Sequence, residues 1–315
     1  MSLCHNAFGE RIRTPKCCEM LGNPLQQSKA VRTLRARPLI WLNVVCLDAP
    51  LVACVWQRFF ARNFRIVVPV PTTAALFLTA WLIYLIDRFA DSVSLPNKSE
   101  KTLREAFCSS HKNAWIGLTL AVGISGAVFV LWQVDHDVFV AGSILAAIAM
   151  IYLIINFAFS EIWAAIPVKE IVVGCLFALG TFLPLLPHLS SATATITTWM
   201  ILITVILFAC LCSLNCMSIA VWERDLDRVQ GKHSIATRWP DAKLFIRIFA
   251  AALAIACVVF GVAEPQLWPL AGCFVVSAIA LLALQFLPVA RDERTALADL
   301  VLLTPFGWLL LAAVA

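Results

Sequence analysis

Charge is scarce in this 315-residue chain: Asp, Glu, Lys and Arg make up 14% of it, against 61% apolar residues. Mean hydropathy is +0.88. Soluble globular domains carry about a quarter charged residues, so that class is excluded. No CxxC pair has a matching partner, so the 12 cysteines do not read as a zinc or disulfide framework. Cys46, Cys54, Cys175, Cys210, Cys212, Cys216, Cys257 and Cys273 fall in apolar runs, where Cys behaves as a small apolar residue. Only Cys4, His5, Cys17 and Cys18, near the N-terminus, retain a spacing open to a metal. That end also lacks an apolar h-region, so it does not read as a secretory signal, and Met20 is a second candidate start.

What the chain does have is a series of apolar runs of about 20 residues, the length that crosses a bilayer as a helix. Nine spans are expected, at about 39–57, 67–87, 114–132, 138–159, 168–187, 198–222, 244–262, 267–287 and 296–315. The chain therefore reads as an all-α polytopic membrane protein, with a basic, disordered tail over 1–37 and one transmembrane domain over 38–315.

The basic residues predict the orientation, because short Lys/Arg-rich loops stay cytoplasmic. With the N-terminus inside and the C-terminus outside, only Arg58, Arg62 and Arg65 fall on the outer side. Loops 133–137, 188–197 and 263–266 carry no Lys or Arg. The net charge of +5 then reflects topology and attraction to anionic lipid or substrate, not to nucleic acid. A bacterial inner membrane is the expected location.

Two long hydrophilic interruptions fall on the predicted cytoplasmic side, after spans 2 and 6. Each opens with carboxylates at i, i+4 spacing: Asp87 and Asp91 in YLIDRFADS, and Glu223 and Asp227 in ERDLDRVQGKHSIA. Such a pair shares one helical face, about 40° apart, and repels unless a cation compensates. Hard divalent ions take carboxylate oxygens, which makes a metal site one reading and a solvated helix rim the other. Tyr84 and Arg88 share the first face, and Asn215 lies two i−4 steps from Glu223 on the second. Asp225 faces away and reads as solvated, as do His111 and His233. Asp48 lies within an apolar span, close to Asn43 and Pro50. A charge there is costly, so Asp48 is either a hydrogen-bonded packing residue or part of a substrate cavity. Tyr152 and Asn156 read as interhelical hydrogen-bond formers or as cavity lining, and Asp299 as a helix-end cap.

The arrangement resembles the UbiA superfamily of intramembrane prenyltransferases, which have nine transmembrane helices and aspartate-rich motifs after helices 2 and 6. In the second motif, Glu223 and Asp227 match the paired carboxylates, Arg228 the following base, Gly231 the glycine and Ser234 the usual threonine. PVKE at 167–170 is similar to the start of the family's fifth helix. The first motif departs: Asp87 stands at the family's asparagine, Arg88 at its first aspartate, Asp91 at its second, and Leu95 where a third often lies.

The resemblance implies transfer of a prenyl chain from a polyprenyl diphosphate to an aromatic or lipid-like acceptor. Asp87, Asp91, Glu223 and Asp227 would hold Mg²⁺. Arg88, Lys98, Lys101, Arg104, Arg228 and Lys232 are candidate diphosphate contacts, and Asn215, Tyr84 and Asp48 candidate substrate contacts. Trp81, Tyr84, Phe157 and Trp222 would line the path of the isoprenoid tail. Two other functions stay open: an isoprenoid-binding protein with lost or altered chemistry, since Arg88 reverses a charge, and an ion-coupled secondary transporter. Transporter ion sites sit near the membrane midplane, whereas these acids lie at helix ends.

Overall fold

The computed structural model describes residues 38–95, 100–159, 161–191 and 196–314. The expected tail over 1–37 and Lys98 lie outside them. All regular structure among the described residues is helical. Seven helices are long and apolar enough to cross a membrane, as in an α-helical polytopic membrane protein.

The count differs from nine because the first and last expected spans are each two helices in series. α1 (Pro38–Val44) and α2 (Asp48–Asn63) are separated by Cys46, whose φ is 59°. Leu47 N donates to Leu42 O at 2.8 Å across this turn, the 6→1 bond of a Schellman cap built on a non-glycine residue. α2 ends the same way: Arg65 has φ 55° and Ile66 N donates to Ala61 O at 2.8 Å. At the other end, α13 (Arg291–Val301) and α14 (Thr304–Val314) are separated by Leu302 and Leu303. Pro305 has no N–H to give the carbonyl four residues earlier. Ser277 Oγ donates to that carbonyl, Val301 O, at 3.2 Å, and Trp56 Nε1 donates to Leu302 O at 2.7 Å.

Between these broken ends run α3 (Val70–Ser94), α4 (Leu103–Ser110), α5 (Lys112–Gln133), α6 (His136–Ala158), α7 (Ile162–Ala165) and α8 (Lys169–Phe182). A 3₁₀ segment (Leu183–Ser191) follows α8, and then come α9 (Thr198–Gln230), α10 (Ile235–Arg238), α11 (Ala242–Ala263) and α12 (Trp268–Leu284). α9 is the central helix, packed on α8, α10, α11, α12 and α13. Its approach to α8 is very close, because Gly174 leaves room where a Cβ would overlap the Ser213 backbone.

An aromatic core anchors α2 to α9 and α12. Trp56 stacks on Phe274 with centroids 4.9 Å apart and lies 4.8 Å from Phe208. Phe59, Phe60 and Phe64 are buried beside them. Many large apolar residues of α5, α6 and α11 instead point outward, among them Leu131, Ile144 and Ile255. Outward apolar faces on long helices are the pattern that lipid, rather than water, requires.

Candidate functional site

α3 and α9 carry the two acidic pairs, and the fold brings them to one cavity. Tyr84, Asp87, Arg88 and Asp91 from α3 line it, as do Asn215, Cys216, Glu223 and Asp227 from α9. The spacing explains this: residues 84, 87, 88 and 91 share one stripe of α3, and 215, 219, 223 and 227 one stripe of α9. The volume is about 450 Å³. Its polar end also receives Arg104 from α4, Lys169 and Glu170 from the start of α8, and Lys232, His233 and Ser234 from the turn after α9. Its other end is apolar, with Leu145, Ala149 and Leu153 from α6 and Phe177 from α8.

The chain leaves α9 through Gly231, at φ 70°, with Lys232 N donating to Asp227 O at 2.8 Å. This left-handed turn sends Lys232 back toward α3. Its Nζ lies 2.8 Å from Glu105 Oε1 and 3.3 Å from Asp91 Oδ2. Glu105 is the hub of this corner. It closes a capping box with Thr102, and its Oε2 also accepts from Gln230 Nε2 at 3.1 Å. Burial opposes ionisation of Glu105, but the Lys232 charge and hydrogen bond, the Thr102 N–H and Gln230 outweigh it and hold the carboxyl at about 2. Burial likewise opposes charge on Lys232, yet Asp91 and Glu105 raise it above the ordinary lysine range.

Glu223 is held differently. Arg104 Nη2 sits 2.9 Å from both of its oxygens, with side-chain exposures of 9% and 12%. Thr295 Oγ1 adds a longer contact to Oε1, at 3.4 Å. Arg104 Nε and Nη1 are buried without a partner among the described residues. Ser234 donates to Asp227 and accepts from Thr237 N, the latter at 3.3 Å.

The donor chemistry fits a hard divalent ion in pairs. Mg²⁺ takes one or two carboxylates and completes its shell with water and substrate phosphate. Asp87 with Asp91, and Asp227 opposite them, supply such oxygens in one cavity. Among the described residues no three His, Cys, Asp or Glu groups converge on a single point. Glu223 would offer an ion the lone pairs that its Arg104 contact leaves free.

Several expected site residues lie elsewhere. Arg228 is exposed and does not line the cavity, because it sits about 100° around α9 from Asp227, off the stripe that faces the cavity. Lys101 Nζ donates to Ser109 Oγ at 3.0 Å, on α4 rather than in the cavity. Asp48 is buried behind the lining, bonded to Asn43 Nδ2 at 2.6 Å. Of the four expected aromatics only Tyr84 lines the cavity. Trp81 donates to Val45 O at 3.0 Å beside the α1–α2 break, Trp222 donates to Gln285, and Phe157 is exposed. The aromatic lining comes instead from Phe139, Tyr152 and Phe177. Asp299 does not cap a helix end: it accepts from Asn43 and Asn215. Sequence signals for two of the unexpected residues did exist. Thr102-x-x-Glu105 is a capping-box pattern, and Asp299 is an acid in an apolar run.

No family model matches this chain, and the comparisons with curated proteins and with solved structures find no match.

Proposed function

We propose that this protein is a Mg²⁺-dependent intramembrane prenyltransferase, with the motif-bearing end of its cavity facing the cytoplasm. The supporting observation is the cavity itself. Asp87, Asp91, Glu223 and Asp227 surround its polar end together with Arg88, Arg104, Lys169 and Lys232, and it continues into an apolar interior. That gradient suits a substrate with an anionic head and a hydrocarbon tail.

Asp87, Asp91 and Asp227 would hold the metal, whose chemistry is to neutralise charge on a diphosphate leaving group. Arg88 and the unpartnered Nε and Nη1 of Arg104 donate to diphosphate oxygens; guanidinium groups match phosphate geometry well. Lys232 remains charged between Asp91 and Glu105 and presents its ammonium to the same region. Phe177, Leu153 and Ala149 receive the tail and exclude water from it. Tyr84 and Tyr152 offer ring faces in the cavity, and such faces attract positive charge.

Radiolabelled prenyl diphosphates, incubated with purified protein and a panel of acceptors, test this reading. Diphosphate release should require Mg²⁺ and vanish in Asp91→Ala and Asp227→Ala. Release that survives both substitutions would overturn it. A second reading, an isoprenoid binder without turnover, draws on the Arg104–Glu223 and Lys232–Asp91 pairs, which neutralise acids without a metal. Tight prenyl diphosphate binding that is indifferent to chelation, with no product on any acceptor, would favour it.

A further inference from the structure

About 12 Å along α9 from Glu223, eight residues at 1.5 Å each, the cavity wall carries a polar group that neither a metal nor a diphosphate explains. Asn43 Nδ2 donates to Asp48 Oδ2 at 2.6 Å and to Asp299 Oδ2 at 3.0 Å. Ala49 N donates to Asp48 Oδ1 at 2.9 Å. Asn215 Nδ2 donates to Asp299 Oδ1 at 2.9 Å. The network ties α1, α2, α9 and α13 together and fixes which way the Asn215 amide points. With its nitrogen committed to Asp299, its Oδ1 is left buried and without a partner among the described residues. Asn215 is 6% exposed and lines the cavity beside Tyr84, Cys216 and Ile219.

A buried amide oxygen without a hydrogen bond is expensive, and an isoprenoid chain has no donor to offer it. We propose that Asn215 Oδ1 is the recognition point for the acceptor substrate, accepting a hydrogen bond from a hydroxyl or N–H group on an aromatic or lipid-like molecule. Asp299, Asn43 and Asp48 are positioning residues: they hold the Asn215 amide with its nitrogen on Asp299 and its oxygen free for a ligand donor. The acceptor class is therefore a hydrogen-bond donor seated deeper than the diphosphate. This assignment rests on the prenyltransferase reading for the word acceptor, but the contact is testable without any diphosphate.

Full-length protein in nanodiscs is irradiated with 4-hydroxybenzophenone, 4-aminobenzophenone or 4-methoxybenzophenone, and the adducts are mapped by mass spectrometry. The hydroxy and amino probes should label the peptides carrying Tyr84 and Ile219 about tenfold more than the methoxy probe, the effect of one hydrogen bond to a buried group. Asn215→Leu, checked as monodisperse, should reduce both to the methoxy level. Asp299→Asn keeps one acceptor oxygen, enough for Asn215 Nδ2 at the expense of the Asn43 contact, and should keep the preference within about twofold. Equal labelling by the three probes, as expected if water satisfies Oδ1, overturns the proposal. So does a preference that survives Asn215→Leu, or one lost in Asp299→Asn, which would move the contact to Asp299. Binding of tritiated geranylgeranyl diphosphate to the same preparations separates the two readings. Diphosphate binding without the donor preference overturns only the Asn215 assignment, and the donor preference without diphosphate binding overturns only the prenyl reading.

Discussion

Arg104 Nη2 lies 2.9 Å from both carboxylate oxygens of Glu223, joining α4 to the C-terminal part of α9 across 119 residues of chain. Both side chains are nearly buried. The pair therefore locks the loop after α3 over the second acidic motif, and it sets what Glu223 is free to do.

Breaking this pair from one side should hurt more than removing it from both. Arg104→Met leaves a buried carboxylate without its cation and should destabilise the protein by about 3 kcal/mol. Arg104→Met combined with Glu223→Gln should recover most of that loss. Unfolding in detergent, read as a double-mutant cycle, measures the coupling. Additive losses would mean that the pair does not couple.

Glu105 makes the polar corner sensitive to acid. Its folded pKa of about 2 lies below the ordinary 4.5, so its contribution is complete above about pH 4.5 and is lost as pH falls toward 2. Lys232 is raised above its ordinary 10.5, so its contribution is complete below that value and is lost only as pH rises past its folded pKa. The corner should thus hold steady between about pH 5 and 10. Hydrogen-exchange protection over residues 100–110, taken relative to the intrinsic rate at each pH, should fall only below about pH 4.5. Glu105→Gln should abolish that acid dependence and exchange faster at neutral pH.

Gly174 permits the contact between α8 and α9. A Cβ there overlaps the Ser213 backbone, which cannot yield as a flexible side chain would. Gly174→Ala should lower stability by about 2–3 kcal/mol or more, and Ser213→Gly should not rescue it. Thermal unfolding of the single and double variants decides this.

At Gly231 the constraint is conformational rather than steric, since φ is 70° and nothing lies within 4 Å of an added Cβ. Gly231→Ala should destabilise the turn by about 1 kcal/mol, and Gly231→Asn by less, because Asn tolerates the left-handed region. Lys232 depends on this turn for its aim, so Gly231→Val should also weaken prenyl diphosphate binding, measured by filter binding.

Arg88 stands where the family that this sequence resembles carries an acid, yet it lines the cavity beside Asp87 and Asp91. If it serves as a diphosphate contact, Arg88→Ala should weaken prenyl diphosphate binding at least about tenfold. Arg88→Lys should restore only part of it, because an ammonium cannot form two parallel bonds. Arg88→Asp that raises turnover instead would identify Arg88 as decay of the metal motif.

Much of the architecture was legible because membrane helices announce themselves by length and hydropathy, and the i, i+4 carboxylates by their phase. The breaks at Cys46 and at Leu302–Leu303 were not. An apolar run reads alike whether its helix is continuous or turned by a left-handed cysteine, and the bonds that tolerate those breaks come from distant residues such as Trp56 and Ser277. Arg228 turns away because its phase on α9 differs from that of Glu223 and Asp227, and Lys101 because a local partner, Ser109, holds its ammonium. Glu105, Asp299 and Asn43 carried weak local signals that gained meaning only once their partners were in place.

Apolar length and the scarcity of charge are enough to make this a multi-pass helical protein, because both are local properties that lipid reads directly. Residue spacing likewise sets which faces of α3 and α9 carry acids, since helical phase follows from it alone. Which cation meets which acid depended on the packing of the whole bundle. Arg104 reaches Glu223 and Lys232 reaches Asp91 and Glu105 across more than a hundred residues each. The packing also left the buried oxygen of Asn215, a cavity-lining residue, without a partner among the described residues. Such pairings are settled by how the helices pack against one another, and no spacing within a single helix encodes them.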